Sequence, residues 1–130
     1  MSREIGLGWE DEFVSLAKRR GLAAFRVYGQ MPHDAVVSGL KIQCKTKEFH
    51  EQGRVRIAKG QHKYRTGDWD ILALRFTGTL YLMPEHLLRM PGGTYKTVIK
   101  PVEFRRYIDA WSLFDGHEFQ QDEQMLFQIH

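Results

Sequence analysis

A hairpin is written into the middle of this chain, and it leaves the backbone little freedom. Residues 33–38 read as one strand and residues 40–46 as the next, with Gly39-Leu40 as the turn between them. In a strand, side chains i and i+2 share a face. Gln43 and Lys45 therefore point one way, while Ile42 and Cys44 point the other way as core. Asp34 stands at the start of the first run. A carboxylate, an amide and an ammonium thus converge at one sheet edge, a set able to hold a divalent metal and to position water against a phosphate. The plainer alternative is a hairpin with polar residues on its wet face.

The rest of the chain decides what such a hairpin is embedded in. At 130 residues it has the size of one domain, large enough for a core. A hydrophobic fraction of 42% with 27% charged residues is that of a globular protein, not a disordered one. The longest wholly apolar runs, such as residues 71–74, span no membrane and make no signal-peptide core, so no membrane partner is expected. Cys44 is the single cysteine, which excludes an intrachain disulfide and argues against a cysteine-based zinc site. A reducing, cytoplasmic setting is the natural expectation.

Along the chain, residues 8–20 predict an amphipathic helix, with Trp9, Phe13, Leu16 and Ala17 as its apolar stripe and Gly21 as its stop. Residues 22–28 predict an apolar strand. After the hairpin, residues 47–53 read as a loop, and Val55 and Ile57 alternate with Arg54 and Arg56 as in a half-exposed strand. Residues 60–67 are polar, suggesting a helical turn. Residues 69–74 are dense and apolar, as in a central strand, and residues 80–83 return after the Thr77-Gly78 turn. Pro84 opens a short helix, residues 94–100 alternate as a strand, and Pro101 begins a helix carrying Phe104, Tyr107, Ile108, Trp111 and Leu113. No Walker-type loop or serine or cysteine elbow is present.

Pro32-His33-Asp34 followed by Gln43-Cys44-Lys45, with an acid in the preceding helix, resembles the PD-(D/E)XK nuclease superfamily. That superfamily includes many restriction enzymes, archaeal Holliday-junction resolvases and some homing endonucleases. Pro32 and Asp34 stand for the PD with one residue inserted. Gln43-Cys44-Lys45 stands for (D/E)XK, with the glutamine that a homing-endonuclease branch also carries. The order of elements over roughly residues 5–90 is similar to the nuclease core.

The resemblance implies an α/β, single-domain, restriction-endonuclease-like core with a mixed central sheet flanked by helices. The sheet would run through residues 22–28, 33–38, 40–46, 54–57 and 69–74, with residues 91–130 as an extension. It further implies a magnesium-dependent DNA endonuclease, with manganese as a substitute, of homing or junction type. Such an enzyme would work as a homodimer or higher homo-oligomer, because cutting both strands takes two active sites. Asp34 would be the first metal ligand, joined by the Gln43 amide oxygen and the backbone carbonyl of Cys44. Lys45 would stabilise the pentavalent phosphate or hold the attacking water. Periodicity does not choose between Glu10 and Glu12 as the helical acid, which would bind a metal-bound water or an ion. Gly8, four residues before Glu12, makes the resemblance favour Glu12. Gln61 resembles a glutamine that several branches place after the (D/E)XK strand. Glutamine in place of an acid at position 43 keeps a second class open, a nuclease-fold protein that binds nucleic acid or assembles without cutting.

The net charge of +3 conceals an uneven distribution. Residues 41–65 carry eight cations against Glu48 and Glu51, a net +6, which leaves −3 for the remainder. Lys47, Arg54, Arg56, Lys59, Gln61 and Lys63 are therefore candidates for a phosphate-backbone track, against the alternative of a solvated loop. In the acidic tail Met125, Phe127 and Ile129 alternate as in an added strand, for a second subunit or for the chain's own sheet.

Overall fold

A computed structural model describes residues 2–48, 50–57, 67–92 and 94–115. Helix α1 (Ser2–Arg19) starts earlier than the apolar stripe predicts and ends where expected. Gly21, at a φ of 81°, takes the left-handed position that closes it, and Lys18 and Arg19 sit in its last turn, where the helix dipole is negative. Trp9, Phe13, Val14 and Ala17 form its buried face.

That face lies on a mixed sheet of five strands: β1 (Ala24–Arg26), β2 (Ala35–Val37), β3 (Leu40–Lys47), β5 (Ile71–Phe76) and β6 (Thr79–Pro84). Their spatial order is β1-β2-β3-β5-β6, with β3 and β5 parallel and the other neighbours antiparallel. The β2–β3 turn is Ser38-Gly39, at φ of 52° and 83°, one residue earlier than the sequence suggests. Two positive φ angles in a two-residue hairpin loop suit the right-handed twist of its strands.

The sheet is buried on both faces. Ile42, Cys44, Ile71, Ala73 and Leu82 pack under α1 with Trp111 and Phe114. Leu72, Leu74 and Met83 face a second core containing Trp69, Leu88, Tyr95 and Phe104. Each fully buried large side chain contributes roughly 1.5–3 kcal/mol, so two such layers give a domain of this size ample core.

Two expectations change. Residues 54–57 do not join the central sheet. Strand β4 (Val55–Arg56) pairs instead with β7 (Val98–Ile99) in a separate antiparallel ribbon, with Val55, Ile57 and Ile99 sealing the second core. The place beside β5 is taken by β6, the returning strand. In consequence the face carrying Gln43 and Lys45 is not a wet one: Gln43 is only 8% exposed and Lys45 is half-buried. The helices expected after Pro84 and Pro101 are 3-10 segments, Glu85–Leu87, Pro101–Tyr107 and Trp111–Phe114, the last two separated at Asp109 by a φ of 49°. The tail residues Met125, Phe127 and Ile129 lie outside the described residues.

Candidate active site

The hairpin register sets the centre of the site. Ala35 faces Ile42 across the ladder, which puts Asp34 opposite Gln43 just before β2 begins. Asp34 donates its backbone N–H to the Ile42 carbonyl (2.7 Å), fixing its position. Its Oδ2 accepts the Cys44 N–H at 2.9 Å and the Gln43 Nε2–H at 3.1 Å. The N–H and C=O of one strand residue leave on the same edge. The Cys44 carbonyl is thus directed to the Asp34 side of β3.

A second carboxylate reaches this point from the helix. Glu10 interacts with Asp34 through their side chains. Burial first, and then the neighbouring Asp34 charge, push the Glu10 carboxyl above its ordinary value near 4.5, and Arg26 pulls it partly back. Arg26, the last residue of β1, donates to Glu10 at 3.3 Å and to Asp11 at 2.5 Å, with its guanidinium 4.8 Å over the Tyr28 ring.

Glu12 is not brought to this group. Glu10 and Glu12 point about 200° apart on the helix. Because β2 and β5 lie on opposite sides of β3, one acid falls over β2 and the other over β5. There Glu12 accepts two bonds from Arg75 at 2.9 and 3.1 Å, an exposed ion pair beside the Trp9 ring. The acid beside Asp34 is Glu10.

Gln43 and Lys45 share the opposite face, aligned with Leu72 and Leu74 of β5. Beside Gln43 lies a cavity of about 10 Å3, room for one water, walled by Ile57, Trp69, Leu72, Leu88, Tyr95 and Lys96. Burial, followed by the charges of Asp34 and Glu10, pushes the Cys44 thiol well up, so its side chain is a core group and only its backbone belongs to the site. His33, also buried, adjoins Asp34 in sequence. Of the basic candidates, Lys47 ends β3, and Arg54 and Arg56 stand exposed on the β4–β7 ribbon. Lys59, Gln61 and Lys63 lie outside the described residues.

Among the described residues no group of three or more His, Cys, Asp or Glu side chains is placed to hold a metal ion. The donor set is of another kind: two carboxylates held side by side, a backbone carbonyl and an amide. It fits magnesium, which prefers hard oxygens and keeps several of its waters. Burial and then the Asp34 charge raise the Glu10 carboxyl, and Arg26 offsets only part of this, a condition that a divalent cation relieves.

Two solved structures share this architecture. A bacterial homing endonuclease, I-Ssp6803I, superposes with a TM-score of 0.65 at 21% identity, over 92% of this chain and 94% of that one. The Holliday junction resolvase Hjc of the archaeal hyperthermophile Archaeoglobus fulgidus superposes with a TM-score of 0.60 at 14% identity, over 85% of this chain and 95% of that one. The fold is that of the PD-(D/E)XK nucleases. No protein-family model matches the chain, and no curated protein matches its sequence. The nuclease fold accounts for the hairpin, the parallel β3–β5 pair and the helix crossing them. No helix among the described residues is long and apolar enough to cross a membrane.

The sequence reading missed Arg26 and two further cations, Lys96 and Lys100, that flank Val98 on β7. A lone arginine within the apolar run 22–28 was the signal for the first. Nothing local marked the other two, which meet Arg54 and Arg56 only through the β4–β7 pairing.

Proposed function

We propose that this chain is a magnesium-dependent DNA endonuclease of the PD-(D/E)XK type, a single nuclease-like domain acting as a homodimer or higher homo-oligomer. The observation that carries the reading is the carboxylate pair of Glu10 and Asp34, at the edge of the strand bearing Gln43 and Lys45. Glu10 takes the role that resemblance gave to Glu12. Asp34, Glu10 and the Cys44 carbonyl would hold the ion. Gln43 would join them by turning its amide so that Oε1 replaces Nε2 toward Asp34. When bound, magnesium supplies charge neutralisation at the phosphate and acidifies water.

The protein's own groups do the remainder. Asp34 is held in place by its backbone bond to Ile42 and does not have to reorganise. Lys45 projects from the same face as Gln43, where it meets the scissile phosphate and offsets charge as the oxygens become more negative. Arg26 holds Glu10 in place and offsets part of its charge before an ion arrives. Lys47, Arg54 and Arg56, with Lys59, Gln61 and Lys63, would grip the flanking backbone. Lower dielectric beside the half-buried Lys45 strengthens its interaction with phosphate relative to one in open water.

A second reading rests on the Gln43–Asp34 hydrogen bond, since an amide N–H already satisfies the oxygen a metal would use. On that reading the protein binds nucleic acid or assembles without cutting. Incubation with supercoiled, branched and single-stranded DNA, with and without magnesium, separates the two. The proposal predicts magnesium-dependent cleavage that Asp34→Asn abolishes. Binding without cleavage in every metal tested would establish the second reading.

A further inference from the structure

The β4–β7 ribbon has the form of a groove-reading element. Its register pairs Val55 with Ile99 and Arg56 with Val98, and the Ile57 N–H continues the ladder to the Thr97 carbonyl at 2.8 Å. Both strands alternate strictly. Val55, Ile57, Tyr95 and Ile99 are buried, while Arg54, Arg56, Lys96, Val98 and Lys100 are exposed. In an antiparallel ladder with this register Arg54 stands opposite Lys100, so the two strands present four cations around one valine, with Glu51 paired to Arg54 at the outer edge. Two clefts of about 460 and 330 Å3 run along it and share Arg54 and Val98; Glu51 lines the first and Glu103 the second, each outnumbered by the cations there.

The face is also held rigidly. Tyr95 donates to the buried Glu85, which Arg89 also clasps, and its ring lies 5.3 Å from that of Trp69. The Lys96 N–H is fixed to the Leu88 carbonyl at 2.9 Å. Lys96 further walls the cavity beside Gln43, so the ribbon connects directly to the proposed catalytic strand.

We infer that the outer face of the β4–β7 ribbon docks into the major groove of B-form DNA. Arg54, Arg56, Lys96 and Lys100 meet phosphates and base edges there, and Val98 meets the groove floor. The inference rests on the DNA-endonuclease reading for its partner and adds to it a contact element outside the catalytic strand. Two strands about 4.8 Å apart, with side chains, match a groove about 12 Å wide. The major groove of A-form RNA is too narrow and deep for such a face. A single strand offers no groove at all. Four clustered cations, offset only by Glu51 and Glu103, leave a net positive face in the free protein, a cost that a polyanion relieves.

The test measures binding of duplex DNA in chelator by fluorescence anisotropy across a salt series. Arg54→Ala with Arg56→Ala, and separately Lys96→Ala with Lys100→Ala, should each reduce the slope of log K against log salt by about 1.8, that is about 0.9 per contact. The charge-preserving pair Arg54→Lys with Arg56→Lys should retain the slope, and Arg105→Ala with Arg106→Ala, the same charge removed from an exposed 3-10 segment, should change it little. Duplex RNA of the same sequence should bind more weakly than DNA. An unchanged slope in both alanine pairs, or equal affinity for duplex RNA, overturns the ribbon assignment. Cleavage measured in parallel distinguishes this failure from that of the nuclease reading. DNA cut by a protein whose binding ignores the ribbon sinks only the ribbon. Ribbon-dependent binding with no cleavage in any metal sinks only the nuclease.

Discussion

The two faces of the central sheet are equally dry but differ in how their charges are placed. On the helix face, acids lead: Glu10, Asp11 and Glu12 line one turn of α1, and the arginines that meet them, Arg26 and Arg75, are consumed in ion pairs. On the other face the outermost layer is the ribbon with its four cations. Strand β3 is the seam, sending Ile42 and Cys44 into the helix-side core and Gln43 and Lys45 toward the ribbon. The difference teaches why the site lies where it does. On the proposed function, groups that would hold a cation and groups that would hold a polyanion would neutralise each other if interspersed. Placed on opposite faces, they approach only at the rim of β3, where Asp34 is reached from one side by Glu10 and from the other by Gln43.

The largest effect should come from breaking the helix face as a packing layer. Trp9 is 2% exposed and its indole donates to the Ala73 carbonyl at 3.3 Å, so Trp9→Ala should cost about 3–5 kcal/mol in denaturant unfolding. A loss under about 1 kcal/mol would mean that α1 is not seated as described. Lys45→Ala should slow cleavage about a hundredfold, equivalent to roughly 3 kcal/mol of transition-state stabilisation, while DNA affinity stays near wild type. Unaltered turnover would remove Lys45 from the chemistry.

Gln43→Glu sharpens the seam by adding an acid on the ribbon side, opposite Asp34. If Gln43 touches the ion, manganese should bind more tightly in calorimetry; an identical affinity would place Gln43 outside the coordination sphere. A subtler effect concerns pH. Because burial and Asp34 raise the Glu10 carboxyl, the folded state prefers its protonated form. The stability tied to that preference is complete below the ordinary glutamate value and is lost as pH rises through the raised one. In chelator at neutral pH, Glu10→Gln should therefore melt higher than wild type, with the gain vanishing in acid. A gain that persists in acid would assign it to some other cause. The smallest effect belongs to Glu12→Gln, which breaks an exposed pair worth less than about 1 kcal/mol and should leave metal affinity unchanged.

The seam itself was legible in the sequence. Alternation gave its two faces, but not its register: a turn at Gly39-Leu40 would set Asp34 opposite Lys45, whereas the Ser38-Gly39 turn sets it opposite Gln43. What could not be read was everything requiring knowledge of which element lies on which side. Glu10 and Glu12 flank the helical stripe symmetrically, and only the positions of β2 and β5 separate a buried carboxylate pair from a surface ion pair. Val55 and Ile57 read correctly as a strand, but their partner lies more than forty residues on, and alternation says nothing about which sheet a strand joins. The same long-range pairing hid Lys96 and Lys100. Alternation put Gln43 on the face opposite Ile42 and Cys44, but nothing local showed that a second core over that face buries it.

The central claim, that the ion-holding acid is Glu10 and not Glu12, is tested most directly by magnesium-dependent cleavage of supercoiled plasmid. Wild type, Glu10→Gln and Glu12→Gln are compared side by side. The wild type and Glu12→Gln should cleave at similar rates, and Glu10→Gln should fall by about a hundredfold or more. An active Glu10→Gln beside an inactive Glu12→Gln would contradict the account.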